Sequence, residues 1–175
     1  MHKPYPDADH RAQQLCDDFD LDSTHLIARE DDDLAASVML TPWLAWHRDP
    51  KVAGIFSQLS SPACCHEKSV FVSRLVVNRA HRRHGKIAVT LMRQCYAAAF
   101  AQRAAAGFCH TRVELLPFFL KFGWQRAGDP FLHHDSQTVQ QALWIPVVDP
   151  AARELEGSPF SAQRPERQVL AESTR

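Results

Sequence analysis

Apolar positions along the chain switch between two periods, and the switches mark its elements. Residues 69 to 77, SVFVSRLVV, form a nearly unbroken apolar run, the pattern of a central strand covered on both faces. From Lys86 to about Ala105 the spacing becomes three and four. Ala88, Leu91, Met92, Cys95, Ala98 and Ala99 share a stripe, with Arg93, Gln94, Gln102 and Arg103 off it, which predicts a core-facing helix. Gly107 reads as its stop signal. Upstream, residues 8 to 17 suit a short helix, His25 to Arg29 a strand, the DDD at 31 to 33 a turn, and LAASVML at 34 to 40 the hairpin partner. Residues 42 to 62 read as a loop followed by a short helix with Val52, Ile55, Phe56 and Leu59 on one side.

Downstream, FCHTRVEL at 108 to 115 predicts a strand, and PFFLKF at 117 to 122 a short helix closed by Gly123. Residues 124 to 127 begin another strand, residues 128 to 139 make a loop, and ALWIPVV at 142 to 148 forms the last strand. Beyond Pro150 sustained periodicity ends. The expected organisation is one domain over residues 1 to 150 and a charged, flexible tail over 151 to 175. Strands alternating with helices imply a mixed α/β (α+β) domain around a single twisted sheet.

Charge changes this picture locally, not globally. Twenty Lys and Arg balance twenty Asp and Glu over 175 residues, so no overall field recruits nucleic acid or an anionic membrane. Asp crowds residues 7 to 33, whereas Arg74, Arg79, Arg82, Arg83, Lys86 and Arg93 gather at 74 to 93. An anionic ligand would meet the second segment. Five cysteines, Cys16, Cys64, Cys65, Cys95 and Cys109, lack the spacing of a disulfide framework, and no signal peptide or membrane span is apparent. A cytoplasmic protein is expected. Cys64, Cys65 and His66 are adjacent, and His81, His84, His133 and His134 add nitrogens, but adjacent ligands seldom close a tetrahedral site and no CxxC pair exists. No metal is expected.

The strand at 69 to 77, a basic turn and a helix start follow one another, so unpaired backbone N–H groups collect at the positive end of a helix. Gly85 permits the turn and a close approach, while Arg82, Arg83 and Lys86 offer charge-assisted bonds. A turn glycine with a solvated basic rim explains the same residues. The chain has no G-x-x-x-x-G-K-[ST], no G-x-G-x-x-G and no G-x-S-x-G, which removes the P-loop, dinucleotide and nucleophile-elbow readings.

The segment VSRLVVNRAHRRHGKIAVTLM resembles the acyl-donor motif of the GNAT acyltransferase superfamily, a central strand followed by R/Q-x-x-G-x-G/A and a helix; Ile87 stands where the family has a small residue. LLPFFLKFGW, 115 to 124, is similar to the second signature, with Phe119 at the usual tyrosine position. DDFDLDSTHLIARE, VFVSRLVV and the run from 122 to 148 resemble the branch of N-acyl amino acid synthases and acyl-homoserine lactone synthases. The Ser73-Arg74 pair matches their "SR" element, Phe71 replaces an acid of the lactone synthases, and Met39 and Leu40 lie where a hairpin arginine often follows strand two. The resemblance covers about residues 17 to 149, and the family's first strand is expected to be missing or replaced.

This resemblance implies a sheet with a splay between its central strands and direct attack by an amine, such as an amino acid, on an acyl thioester. The donor is an acyl-phosphopantetheine, carried by coenzyme A or by an acyl carrier protein whose acidic surface suits Arg79, Arg82, Arg83 and Lys86. Donor-binding residues are expected at Val76, Val77, Arg82, Arg83, His84, Gly85, Lys86, Ile87 and Ala88. Arg74 is the candidate to hold an acceptor carboxylate or to pair with a neighbouring acid, and Glu114 the first candidate for the base. Trp43, Trp46, Phe56, Phe118 and Phe119 are candidates for an acyl groove or for ordinary core. His110 has no role fixed without the register, and the HHD at 133 to 135 reads as a surface turn. Cys109 reads as a buried strand thiol facing away from His110. Rival readings are a non-catalytic thioester or carrier-protein binding module and, last, a basic-patch nucleic-acid binder.

Overall fold

Thr24–Glu30 (β1) and Asp33–Pro42 (β2) form an antiparallel hairpin that turns at Asp31, where φ reaches 54°. Asp tolerates this left-handed conformation better than most residues. The computed structural model describes residues 18–56, 67–133, 136–149 and 169–172. A short α1 (Trp43–Trp46) and α2 (Pro50–Phe56) follow the hairpin, then β3 (Ser69–Val77), a 3-10 turn at Arg79–His84, and α3 (Lys86–Ala101). β4 (Ala106–Arg112), a 3-10 turn at Val113–Leu115, α4 (Leu116–Lys121), β5 (Gln125–Leu132) and β6 (Val139–Pro146) come next. β7 is Val169–Glu172.

All strands join one sheet in the order β5-β6-β4-β3-β2-β1-β7. Six come from residues 24 to 146, and β7 adds antiparallel to the outer edge of β1, pairing His25 with Glu172 and Ala28 with Val169. The β3–β4 pair is parallel, and the other pairs are antiparallel. This is the expected mixed α/β sheet flanked by helices. Residues 8 to 17 lie outside the described residues, as does the tail region except for β7. No helix among the described residues is long and apolar enough to cross a membrane.

Alternation along the strands divides the core into two. Val70 and Val72 join Leu91, Met92, Cys95 and Tyr96 of α3 on one face, whereas Phe71 joins Trp46, Phe56 and Phe108 on the other. The stripe predicted for α3 is the one buried, and each large apolar side chain there contributes about 1.5–3 kcal/mol. Tyr96 adds a polar anchor, since its hydroxyl accepts from Val148 N–H at 2.7 Å and lies 3.0 Å from the Val148 carbonyl.

Several boundaries differ from the sequence expectation, among them the strand expected to run to Leu115, which ends at Arg112 and passes into the 3-10 turn at Val113–Leu115. α3 stops at Gln102, not Gly107. Arg103 takes φ 58°, and the bonds Ala104 N–H to Ala99 O and Arg103 N–H to Phe100 O close a Schellman motif. Gly107 instead lies in β4, where a Cβ would come within 3.1 Å of Ile145 Cγ2. The expected loop after Pro42 is helical at once in α1. β5 continues to Leu132 through a bulge between Ala127 and Phe131, with Gly128 at φ 66°, so much of the expected 128 to 139 loop is strand.

Candidate functional site

β3 and β4 are paired only at Ser69↔Ala106, Val70↔Gly107 and Phe71↔Phe108. Beyond this, β3 stays with β2 as far as Val77↔Ala36 and β4 stays with β6 as far as Arg112↔Gln140. The two halves of the sheet therefore part, and main-chain groups of residues beyond 71 and 108 face a gap. The strands diverge where the sequence expectation put a splay.

β3 also carries a bulge. Ser73 pairs with Met39 and Val76 with Ser37, so two β3 residues oppose one on β2, and Arg74 sits at φ 53°. The alternation shifts by one: Val70 and Val72 face α3 before the bulge, Leu75 and Val77 after it. Val76 is left 54 % exposed. The Ser73 hydroxyl is buried and has no hydrogen-bond partner among the described residues, and by alternation it shares the face of Phe71. Arg74 Nη1 donates to Asp20 Oδ1 at 2.7 Å, and His25 Nε2 lies 3.4 Å from the same oxygen. Of the two readings of Arg74, the neighbouring acid is the partner observed.

The turn that follows is tied down on three sides. Asn78 Oδ1 accepts from Ala80 N–H, His81 Nδ1 lies 2.7 Å from Glu30 Oε2, and Arg82 Nε donates to the Val77 carbonyl at 2.9 Å. Gly85 then takes φ 62° with open space where a Cβ would be. α3 starts at Lys86 without a side-chain cap, and its first internal bond is Val89 N–H to Gly85 O. The N–H groups of Lys86, Ile87 and Ala88 thus precede the helical ladder at the positive end of a 16-residue helix. Arg79, Arg82, Gly85 and Lys86 are exposed. Ile87, which stands where a small residue was expected, packs partly buried against the α3 core. The side chains of Arg83 and His84 lie outside the described part.

Val76, Val77, Arg82, Gly85, Lys86, Ile87 and Ala88 are thus gathered along one edge of the gap. Glu114 is exposed in the 3-10 turn after β4, two residues past the strand's end at Arg112. The five candidate groove aromatics are divided: Trp46 and Phe56, with Trp43 packed against them, lie on one face, and Phe118 and Phe119 on the other. Phe119 is 7 % exposed and meets Trp124 edge-on. An apolar recess beneath the strand pair is lined by Val70, Val72, Met92, Cys95, Trp124 and Ile145. Burial pushes the Cys95 thiol up to about 12 and raises Cys109 well above its ordinary value. Neither is a nucleophile near neutral pH. No group of three or more His, Cys, Asp and Glu suited to a metal ion occurs among the described residues; Cys64, Cys65, His66 and His134 lie outside them.

Sequence reasoning left one cluster unassigned. His110 is half-buried on β4, on the face opposite Cys109, with ring centroids 5.6 Å from Phe71, 6.0 Å from Phe131 and 5.1 Å from His133. Its Nδ1 meets Gln140 Oε1 at 2.5 Å, and Gln140 Nε2 in turn donates to Ser136 Oγ and Thr138 Oγ1 at 3.2 and 3.3 Å. Ser136 N–H donates to His133 Nδ1 at 3.3 Å. The only available sequence signal was the recurrence of His and Gln on paired strands.

Solved structures share this architecture. A CoA-dependent acyl-homoserine lactone synthase, BjaI, superimposes with a TM-score of 0.66 at 19 % identity, covering 86 % of this chain and 71 % of its own. MesI, a second CoA-dependent acyl-homoserine lactone synthase, gives 0.67 at 15 % identity, covering 91 % and 80 %. FeeM, an N-acyl amino acid synthase from uncultured soil microbes, gives 0.53 at 11 % identity, covering 72 % and 73 %. A search of curated proteins returns no match. The family model for GNAT acetyltransferases matches residues 1–124, and with the parted strands, the bulge and the glycine-led helix start in place, the chain belongs to the acetyltransferase (GNAT) family.

Proposed function

We propose that this protein is an N-acyltransferase that moves an acyl group from a phosphopantetheine thioester to an amine by direct attack. The observation that carries this reading is the gap beyond Phe71 and Phe108, flanked by a bulged strand on one side and the uncapped start of α3 at its end. A pantetheine arm laid beside β3 meets main-chain groups around Val76 and Val77. N–H groups of Lys86, Ile87 and Ala88, with Gly85 leaving open space, take a phosphate. Arg82 and Lys86 add positive charge at the exposed rim. The same rim, with Arg79, suits either coenzyme A or an acidic acyl carrier protein, and an amino acid is the acceptor favoured by the likeness to FeeM.

In this arrangement holding thioester and amine together supplies much of the rate, and donors aimed at the developing oxyanion supply the rest. Arg74, bound to Asp20, fixes the bulge. A second reading is favoured by specific substitutions. Met39 and Phe71 are buried in the core, and Phe119 offers no phenol, which suits a protein that binds an acyl thioester without turning it over. Incubation with acetyl-, octanoyl- and dodecanoyl-coenzyme A, or octanoyl carrier protein, plus an amino acid mixture separates the two. Amine-dependent release of free thiol supports the enzyme, whereas tight thioester binding with no release leaves the binding module.

A further inference from the structure

Resting on the donor-binding part of the acyltransferase reading, we propose that His81 and Glu30 are positioning residues for the donor phosphate. Their contact holds the Arg79–His84 turn so that the helix start after it keeps a fixed aim. Glu30 is the last residue of β1, at the tip of the β1–β2 hairpin, and β2 stands between β1 and the strand that borders the gap. His81 lies in the middle of the turn. The hairpin tip thus acts on the donor site from a distance.

The turn needs outside support. It is six residues long, whereas 3-10 helices beyond three or four residues are uncommon because their hydrogen bonds are poorly aligned. Three contacts tie it to the hairpin. Asn78 N–H donates to Ala35 O at 2.8 Å, Asn78 Nδ2 donates to Leu34 O at 3.3 Å, and His81 Nδ1 lies 2.7 Å from Glu30 Oε2. The first two fix where the turn begins, and the third is made from inside it. A carboxylate oxygen only accepts, so His81 Nδ1 donates this bond. Both side chains are partly covered, His81 to 16 % exposed and Glu30 to 34 %.

The consequence is rotational. With three residues per turn, side chains at i and i+3 lie one above the other. Arg79 and Arg82 therefore share one side of the turn, and His81 occupies another. Anchoring His81 to the hairpin keeps both arginines, which are exposed, off the hairpin side, where Arg82 Nε reaches Val77 O at 2.9 Å. The turn passes its orientation to Gly85, at φ 62°, and to the N–H groups of Lys86, Ile87 and Ala88. The directions of these groups decide whether a phosphate oxygen is met. With His81 released, Asn78 holds the turn from one end alone, and the N–H set has to be ordered at the moment of binding, which weakens affinity.

Calorimetric titration with octanoyl-coenzyme A, octanoyl carrier protein and S-octanoyl-pantetheine tests this. The first two carry a phosphate and the third has the same arm without one, so either source of the phosphate is covered. His81→Ala should lower affinity at least tenfold for one or both phosphate esters relative to the pantetheine ester. His81→Asn, whose side-chain N–H stands near the place of Nδ1, should restore most of the loss, and Glu30→Gln, which keeps an acceptor oxygen, should stay close to the wild type. Glu30→Ala should lose as much as His81→Ala, and the double alanine variant no more than either single one. In thiol release with the amino acid mixture, the loss should appear in KM for the phosphate ester and not in kcat. A merely structural role would weaken all three esters alike and give no such split. Should His81→Ala fail to fold, Glu30→Ala carries the same comparison. Unchanged affinity for both phosphate esters, or equal weakening of all three, overturns the positioning role while leaving the acyltransferase standing. Absence of amine-dependent release in the wild type defeats the acyltransferase, and the binding comparison still decides the positioning role. A wild type that binds the three esters equally defeats the phosphate site and this inference with it.

Discussion

Arg74 Nη1 lies 2.7 Å from Asp20 Oδ1, and Arg74 is also the residue whose φ of 53° belongs to the bulge in β3. One side chain therefore joins the 3-10 turn before β1, Asp20–Asp22, to the point where β3 changes face. Both side chains are largely covered, 23 % and 18 % exposed, so the pair is screened less than a surface pair. A double-mutant cycle with Asp20→Ala and Arg74→Ala, measured by urea unfolding, should give a coupling of about 1 kcal/mol, at the upper end for ion pairs of this kind. A coupling near zero would leave the bulge without this support.

Arg103 holds a left-handed conformation at the end of α3 that glycine adopts without strain. Arg103→Gly should raise stability by about 1 kcal/mol, seen as a higher urea midpoint with unchanged slope. The Schellman bonds are made by the backbone, so they survive the substitution.

Gly85 presents the reverse case. Its φ of 62° strains any other residue, yet an added Cβ touches nothing. Gly85→Ala should cost about 1 kcal/mol of stability. Under the proposed function the methyl group occupies space needed by a donor phosphate. Octanoyl-coenzyme A affinity, measured calorimetrically, should then fall at least tenfold in a variant that remains folded.

Cys95 and Cys109 give the protein an alkaline limit. Burial raises both thiols, Cys95 to about 12, above an ordinary value of 9.0. The unfolded chain loses these protons first, so the stability they confer is whole below about pH 9 and declines as pH rises toward 12. The slope is at most about 1.4 kcal/mol per pH unit for each thiol. Urea midpoints across pH 7 to 11 check the direction, and Cys95→Ala should flatten the fall.

The long periodic segments were legible in the chain because one interaction decides them. β3 and the buried stripe of α3 follow from burial alone, and the glycine-led turn between them could be placed from its neighbours. β5 was cut short in the sequence reading because Gly128, Asp129 and Pro130 spell a turn; the structure absorbs them in a bulge on an edge strand, where a proline costs no ladder bond. Gly107 was assigned to helix termination because the capacity of Arg103 to reverse the chain has no compositional mark. The His110–Gln140 contact spans 30 residues and depends on the β4–β6 register, which no local pattern encodes.

The strand Val169–Glu172 lies against β1 at the opposite end of the sheet from β5. β7 thereby covers a row of main-chain donors and acceptors on β1 that would otherwise invite another molecule to zip on. Removing Val169–Glu172 should therefore act on self-association, and a variant lacking this strand that forms dimers or precipitates would be showing its bared border, not damage to the gap between β3 and β4.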